Sequence, residues 1–600
     1  MKSQLMRIAL VAAICFASMP GSARAEDCSG SPGAGTPCVD EGNPCTTDVC
    51  DAGTTCLHNN NTAPCNDGEF CNGDDQCAAG ACVSGVADLC TETTGAGKAG
   101  GFFRYTIPDD WDGDLVIINH GFDLNDKKIR PHHTCSSNVN VTCDQDSDCG
   151  SGNFCNNISY LGLDQLLLPM DKAVAASTYS KSGWAVFRSS KDIKDIIKAV
   201  KKDPVRGAEL KRVIVTGFSL GGAVTGDATL KLKIDGALPL CAAVGGGLPT
   251  WDVAQDVRLV YDWLCDDVSA FTSAPDLGEV NSASSGNDAI GVAIKVDKCF
   301  GNIGLIQCQL GTCSVSAAAC GNGYADCPMG ETCVPEPGSC GSQQIQRRDD
   351  FIALTNFTGF QGDDAGINLA SAIGFATLGL GDFVRDPDRL GSKRIGLNDT
   401  LDYSVIGTDS GLADDFNAPR LCSLNSMITC TDDGDCPEGA GTCEGGVQRL
   451  TKGPGRSKLT KASYPDFTVG KGAKVEYPIL LMAGANDWLV IPEFERVYTT
   501  ALTTGAKDYT QTWIDTFGHC VFTEEEITAL FNEYFTWLGP YGGSGGTQPS
   551  AQDVEDACLA LPTGVDGDTC NFNSSFSPGY LSDRIPVRAD WPAAAAVPSP

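Results

Sequence analysis

Basic side chains and histidines are scarce in this chain. Against 76 Asp and Glu stand 42 Lys and Arg, a formal net charge of −34. So acidic a surface repels phosphate backbones and anionic lipid, which argues against nucleic acid and anionic membranes as partners. There are five histidines. The cysteine-dense stretches hold few of them and no tandem C-x-x-C spacing, which argues against zinc. Beyond residue 25 no apolar run is long enough to span a bilayer, so no membrane insertion is expected.

The first 25 residues are a separate matter. Lys2 and Arg7, the apolar run from Ile8 to Ala17, and Ala23-Arg24-Ala25 follow the order of a secretory signal peptide. Ile14 before Cys15 is not small, which argues against a lipid anchor. Setting Cys15 aside leaves 30 of the 31 cysteines, an even number suited to disulfides in an oxidising compartment. The expected localisation is secreted, extracellular or periplasmic. At 600 residues the chain exceeds one simple core, so two or more domains are expected.

Residues 26–92 are dense in Cys, Gly, Asp and Asn and read as a small disulfide-held module. Its ten cysteines, Cys28 to Cys90, can close on themselves, and the module is expected to be dispensable for catalysis. It reads equally as a spacer or as a contact to a surface or polymer. From about residue 93 apolar strands begin, and the domain they start is placed at 93–540. Three clusters in it resemble one another: "CSSNVNVTCDQDSDCGSGNFC" (135–155, within an insert at 125–160), "CSVSAAACGNGYADCPMGETC" (313–333, within 299–340) and "CSLNSMITCTDDGDCPEGAGTC" (422–443). They look like copies of one unit with two local bridges each. Asp144, Asp146, Asp148, Asp432, Asp433 and Asp435 lack the closing Glu of a calcium loop and read as solvated turns. Residues 541–600 read as a C-terminal tail.

With the inserts set aside, strands and helices alternate, which argues a mostly parallel sheet flanked by helices. Strands are expected at 114–119, 173–178, 212–217, 235–241, 477–484 and 509–515. Helices are expected at 188–201, 220–231, 492–503 and 524–537. The interval from 250 to 470 is far longer than a connecting helix needs and reads as a large cap insertion.

The stretch "RVIVTGFSLGGAVTG" runs from strand to helix through Gly217-Phe218-Ser219-Leu220-Gly221. A serine nucleophile fits that sharp turn, and the glycines leave room where a Cβ would clash. A second Gly-x-Ser-x-Gly, at 542–546, has no strand before it and reads as linker. A nucleophilic serine needs a base and an orienting acid. His519 alone among the histidines follows Ser219, just after a strand. Asp487 follows the preceding strand, with Asp515 as runner-up. The N–H groups of Leu220 and Phe122 are the candidate oxyanion donors. No metal or organic cofactor is called for.

"YTIPDDWDGDLVIINHGF", "VIVTGFSLGGAVTG", "DGALPLCAAVGG", "GANDWLVIP" and "GHCVFTEEE" together resemble secreted bacterial serine hydrolases of the α/β-hydrolase fold. The resemblance implies cleavage of a carboxylic ester through a Ser219–His519–Asp487 triad. The His-Cys pair is also similar to tannases and feruloyl esterases, in which a disulfide joins the residue before Ser to the residue after His. Phe218 forbids that bridge here, so Cys520 must pair elsewhere, with Cys241 one candidate, or stay free. Two alternatives remain open: a peptidase of prolyl-oligopeptidase type, and a non-catalytic surface protein that binds through its Cys-rich modules.

Overall fold

The computed structural model describes residues from Asn43 to Trp591, apart from internal stretches of which the longest are 280–288, 301–310, 321–332, 356–364 and 457–474. The signal segment at 1–25 and the second Gly-x-Ser-x-Gly serine, Ser544, lie outside the described residues.

An eight-stranded sheet organises the molecule. Its strands are β1 (Cys90–Ala96), β2 (Phe102–Pro108), β3 (Asp114–Asn119), β4 (Ala173–Ser177), β5 (Arg212–Phe218), β6 (Gly236–Leu240), β7 (Ile479–Asn486) and β8 (Tyr509–Phe517). Their spatial order is β8-β7-β6-β5-β3-β4-β2-β1. From β4 to β8 every neighbouring pair is parallel, and β1 and β2 join antiparallel at one edge. β3 and β4 are buried at every residue, with the apolar runs Leu115–Ile118 and Ala173–Ala176, as strands covered on both faces must be. Alternation assigns the faces. Val213 and Val215 join one core with Trp184 and Val224, and Ile214 joins the other with Leu530 and Phe531. The covering helices include α1 (Val186–Val200), α2 (Leu220–Lys231), α9 (Pro492–Thr503) and α10 (Glu524–Leu538).

β6 and β7 are neighbours, yet a helical layer is inserted between them in sequence. It holds α3 (Gly247–Leu264), α4 (Ala289–Phe300), α5 (Ser342–Thr355), α6 (Ala365–Gly374), a π-turn (Phe375–Gly379), α7 (Leu380–Arg385) and α8 (Ser410–Asn417). Its aromatic core stacks Trp251 on Phe383 at 4.4 Å and on Phe375 at 5.6 Å.

The inserts share one plan. In each, the first and fourth cysteines face each other across an antiparallel ladder: Cys135 with Cys155, Cys313 with Cys333, Cys422 with Cys443. Two of the three have described bridges, and both use the same crossed pairing: Cys135–Cys149 with Cys143–Cys155, and Cys422–Cys436 with Cys430–Cys443. Asp144, Asp432 and Asp433 lie outside the described residues. No helix of the described residues is long and apolar enough to cross a membrane.

Two boundaries expected from sequence need correction. The sheet starts at Cys90, not 93, because β1 pairs with β2 along its whole length and Cys90 is bonded to Cys71. The described residues of the segment 541–600 pack onto the domain rather than forming a tail. α11 (Ala551–Leu559) opens on a Ser550/Asp553 capping box. Asn571 and Asn573 then hydrogen-bond the backbone of Asp515 and Trp513 at 2.7 and 2.8 Å, covering the edge of β8. Further on, the Arg588 guanidinium is buried in the helical layer, forked onto Asp256 at 2.7 and 2.9 Å. Nothing in the composition of this segment separates such packing from a linker.

Acid should loosen the first insert where His132 holds it. Its Nδ1 accepts the Ile158 N–H at 2.8 Å, so the ring sits there neutral. Burial, then the Arg104 charge and His133, push its pKa down to about 3. Glu92, the remaining charged neighbour, stands 3.8 Å from Nε2. The folded pKa lies below the ordinary value of about 6.5, so the unfolded chain binds the proton first and stability falls as pH drops from about 6.5 toward 3. His132→Asn keeps an acceptor and cannot titrate. Urea unfolding from pH 7 to pH 4 should show a shallower loss for the variant; equal slopes would remove His132 from the account.

Candidate active site

The turn between β5 and α2 is a single residue, Ser219. Its φ of 57° lies in the left-handed region that a side chain rarely occupies. The turn closes because glycines flank it. A Cβ on Gly217 would lie 2.5 Å from the Asn119 carbonyl oxygen, and one on Gly221 would strike the same oxygen. Asn119 ends β3 and ties the neighbouring strand by donating to the Thr216 carbonyl at 3.0 Å. The Ser219 N–H donates to the Leu240 carbonyl at 3.0 Å, fixing the turn to the end of β6.

Asp487 stands one residue beyond β7. Its Oδ1 accepts the N–H groups of Leu489 and Val490, both at 2.9 Å, which locks the carboxylate plane. His519 stands two residues beyond β8, past Gly518 at φ 117°. The three side chains form one buried line. His519 Nδ1 lies 2.7 Å from Asp487 Oδ2, and Nε2 lies 2.7 Å from Ser219 Oγ. Because a carboxylate only accepts, Nδ1 carries the hydrogen and Nε2 presents its lone pair to the serine hydroxyl. That arrangement can take a proton from Ser219 and hold the resulting imidazolium against a fixed carboxylate.

The structure excludes Asp515 from this line. Its side chain is exposed and accepts from Asn486 Nδ2 at 2.8 Å. Cys520 is bonded to Cys241 at the end of β6, and its sulfur rests 3.4 Å from His519 Nε2. The bridge thus joins the His519 loop to the strand next to the Ser219 elbow. Leu220 is the first residue of α2, where a helix N–H has no partner within the helix. Phe122 follows the His120-Gly121 loop that backs onto the elbow, and its ring meets Phe375 of the π-turn edge-on at 5.7 Å. His120 stacks on Tyr179 at 4.1 Å, and the Tyr179 hydroxyl donates to its carbonyl at 2.9 Å, so this histidine braces the loop.

Sequence reasoning missed Asn119 and Glu495. Asn119 reads as the polar end of a strand. Glu495, in "PEFERV", reads as an ordinary acid in the first turn of a helix.

The parallel core, the β8-β7-β6-β5-β3-β4-β2-β1 order and the helices on both faces make this an α/β-hydrolase fold with a large inserted layer and disulfide-held modules. No family model and no curated protein matches the chain. Among solved structures, feruloyl esterase B from Aspergillus oryzae is similar at 12% identity over 81% of this chain and 82% of that one, with a TM-score of 0.30. The Pyrococcus horikoshii acylaminoacyl peptidase matches at 8% identity over 85% of this chain and 54% of that one, TM-score 0.30. One crystal form of the Pyrococcus furiosus esterase Pf2001 matches at 15% identity over 26% of this chain and 52% of that one, TM-score 0.18. In the last two comparisons the chain spans about half of the other protein's length.

Proposed function

We propose that this chain is an exported serine hydrolase that cleaves carboxylic esters through an acyl-enzyme. The observation that carries the reading is the continuous hydrogen-bonded line Ser219–His519–Asp487, with both links at 2.7 Å. Ser219 Oγ attacks the ester carbonyl carbon as His519 Nε2 takes its proton. Asp487 holds the tautomer and the charge that forms. The N–H groups of Leu220 and Phe122 donate to the oxyanion, at roughly 3 kcal/mol per donor. His519 then protonates the leaving alcohol, and water, activated the same way, releases the acid. Ahead of Cys90 the described residues make two small two-stranded ladders, Thr46–Cys50 with Cys56–Asn60 and Gln76–Ala78 with Ala81–Val83. Export is supported by the leader-like segment at 1–25 and by bridges such as Cys45–Cys77 and Cys265–Cys299.

A fluorophosphonate probe should label the mature protein on the peptide that contains Ser219. A panel of small soluble esters should turn over while matched anilides do not. Failure of the folded protein to label would favour a non-catalytic binding role, and anilide turnover equal to ester turnover would favour a peptidase.

A further inference from the structure

The first turn of α9 carries Glu495 into the interior, where it is fully buried. Its Oε1 accepts the Ala242 N–H at 3.0 Å, and its Oε2 has no hydrogen-bond partner among the described residues. Ala242 belongs to the turn that leaves β6. Cys241 in that turn has φ 39°, a left-handed conformation that a side chain rarely adopts. The turn touches both reacting side chains' supports. On one side a Cβ on Gly222, in the helix that follows Ser219, would lie 2.5 Å from Ala242 Cβ, and the Ala243 N–H points at the Ser219 carbonyl from 3.5 Å. On the other side Cys241 is bonded to Cys520, the residue after His519.

We infer that Glu495 is a positioning residue of this site: it holds the Cys241–Ala243 turn from behind, and the turn holds the Ser219 elbow directly and the His519 loop through the disulfide. The inference rests on the serine-hydrolase reading.

Glu495 does this as a neutral acid. Burial pushes its carboxyl well above the ordinary range; the Ala242 N–H pulls the other way, and the negative charge of Asp487 adds a smaller upward push. Arg496, next along α9, does not offset this, because its guanidinium lies over the Tyr580 ring and donates to the Pro578 carbonyl. Glu493 shares the same helix turn and adds no positive charge. A proton on Glu495 keeps a second anion away from the Asp487–His519 pair, whose one carboxylate then balances one imidazolium.

Steady-state kinetics of the mature protein test this with two variants. Glu495→Gln keeps the acceptor and the neutrality. Its kcat/KM should stay within about two-fold, and neither limb of its pH profile should move. Glu495→Ala loses the acceptor and should lower kcat by about ten-fold or more with little change in KM, as a displaced catalytic pair does. A folded Glu495→Ala variant with unchanged kcat would overturn the positioning role. A shift of the acid limb by more than about half a pH unit in Glu495→Gln would show that the wild-type group is charged and overturn the neutral assignment, whether or not the alanine variant folds. Full activity in a folded Ser219→Ala variant, made alongside, would instead sink the serine-hydrolase reading.

Discussion

Ser219→Ala should lower ester turnover by about four orders of magnitude or more while the protein folds normally, and His519→Ala should do the same. In the proposed mechanism the serine supplies the attacking oxygen, and the histidine, 2.7 Å from it, is the base. Asp487→Asn should cost a comparable amount for a different reason. An amide can donate to His519 Nδ1, which favours the tautomer whose hydrogen faces the serine. If the three act as one unit, as proposed, the Ser219→Ala/His519→Ala double variant should be no worse than either single variant. The measurement is kcat/KM on a small soluble ester, with circular dichroism to establish folding. Near-wild-type activity in a folded Ser219→Ala protein would refute the assignment.

The second large effect is structural. Arg588→Ala should destabilise the protein by about 3–5 kcal/mol, the cost of stranding buried carboxylates without their cation. Arg588 is fully buried against Asp256, and its Nε lies 3.5 Å from Asp252 Oδ2. Asp252 is also forked by Arg456, with both contacts at 2.7 Å, and accepts from Trp591 Nε1 at 2.5 Å. Burial alone would raise the Asp252 carboxyl, but Arg588 and Arg456 overcome it and hold the group below the ordinary range. Arg456 reaches onward to Asp590, so one network pins Arg456 and the C-terminal segment to α3 of the inserted layer. Urea unfolding of the variant should show a lowered midpoint. Restoring neutrality with Arg588→Met and Asp256→Leu together should recover part of the loss, whereas an unchanged midpoint in Arg588→Ala would mean that the pair contributes nothing.

Local pattern was sufficient for the strands that carry the site and for their order along the chain. "DLVIIN" at 114–119 coincides with β3, and the helix expected at 220–231 with α2, because hydrophobic runs and turn glycines act over a few residues. The candidate nucleophile, base and acid were legible for a related reason. Each follows a strand end, and a chain with five histidines leaves one downstream of Ser219.

What brings Ser219 within hydrogen-bonding reach of His519, 300 residues away in sequence, is the parallel packing of β5 to β8, a property of the sheet that no local window contains. The same holds for Cys241 as the partner of Cys520, for β1 beginning at Cys90, and for Arg588 as a core residue rather than part of a tail. Glu495 is the clearest case. Its charge state depends on burial and on the nearness of Asp487, and both exist only once α9 has docked against the turn after β6. Sequence alone determined the strand-end chemistry, because side-chain type and local period are one-dimensional. Tertiary structure decided the pairings, because desolvation and distance are not.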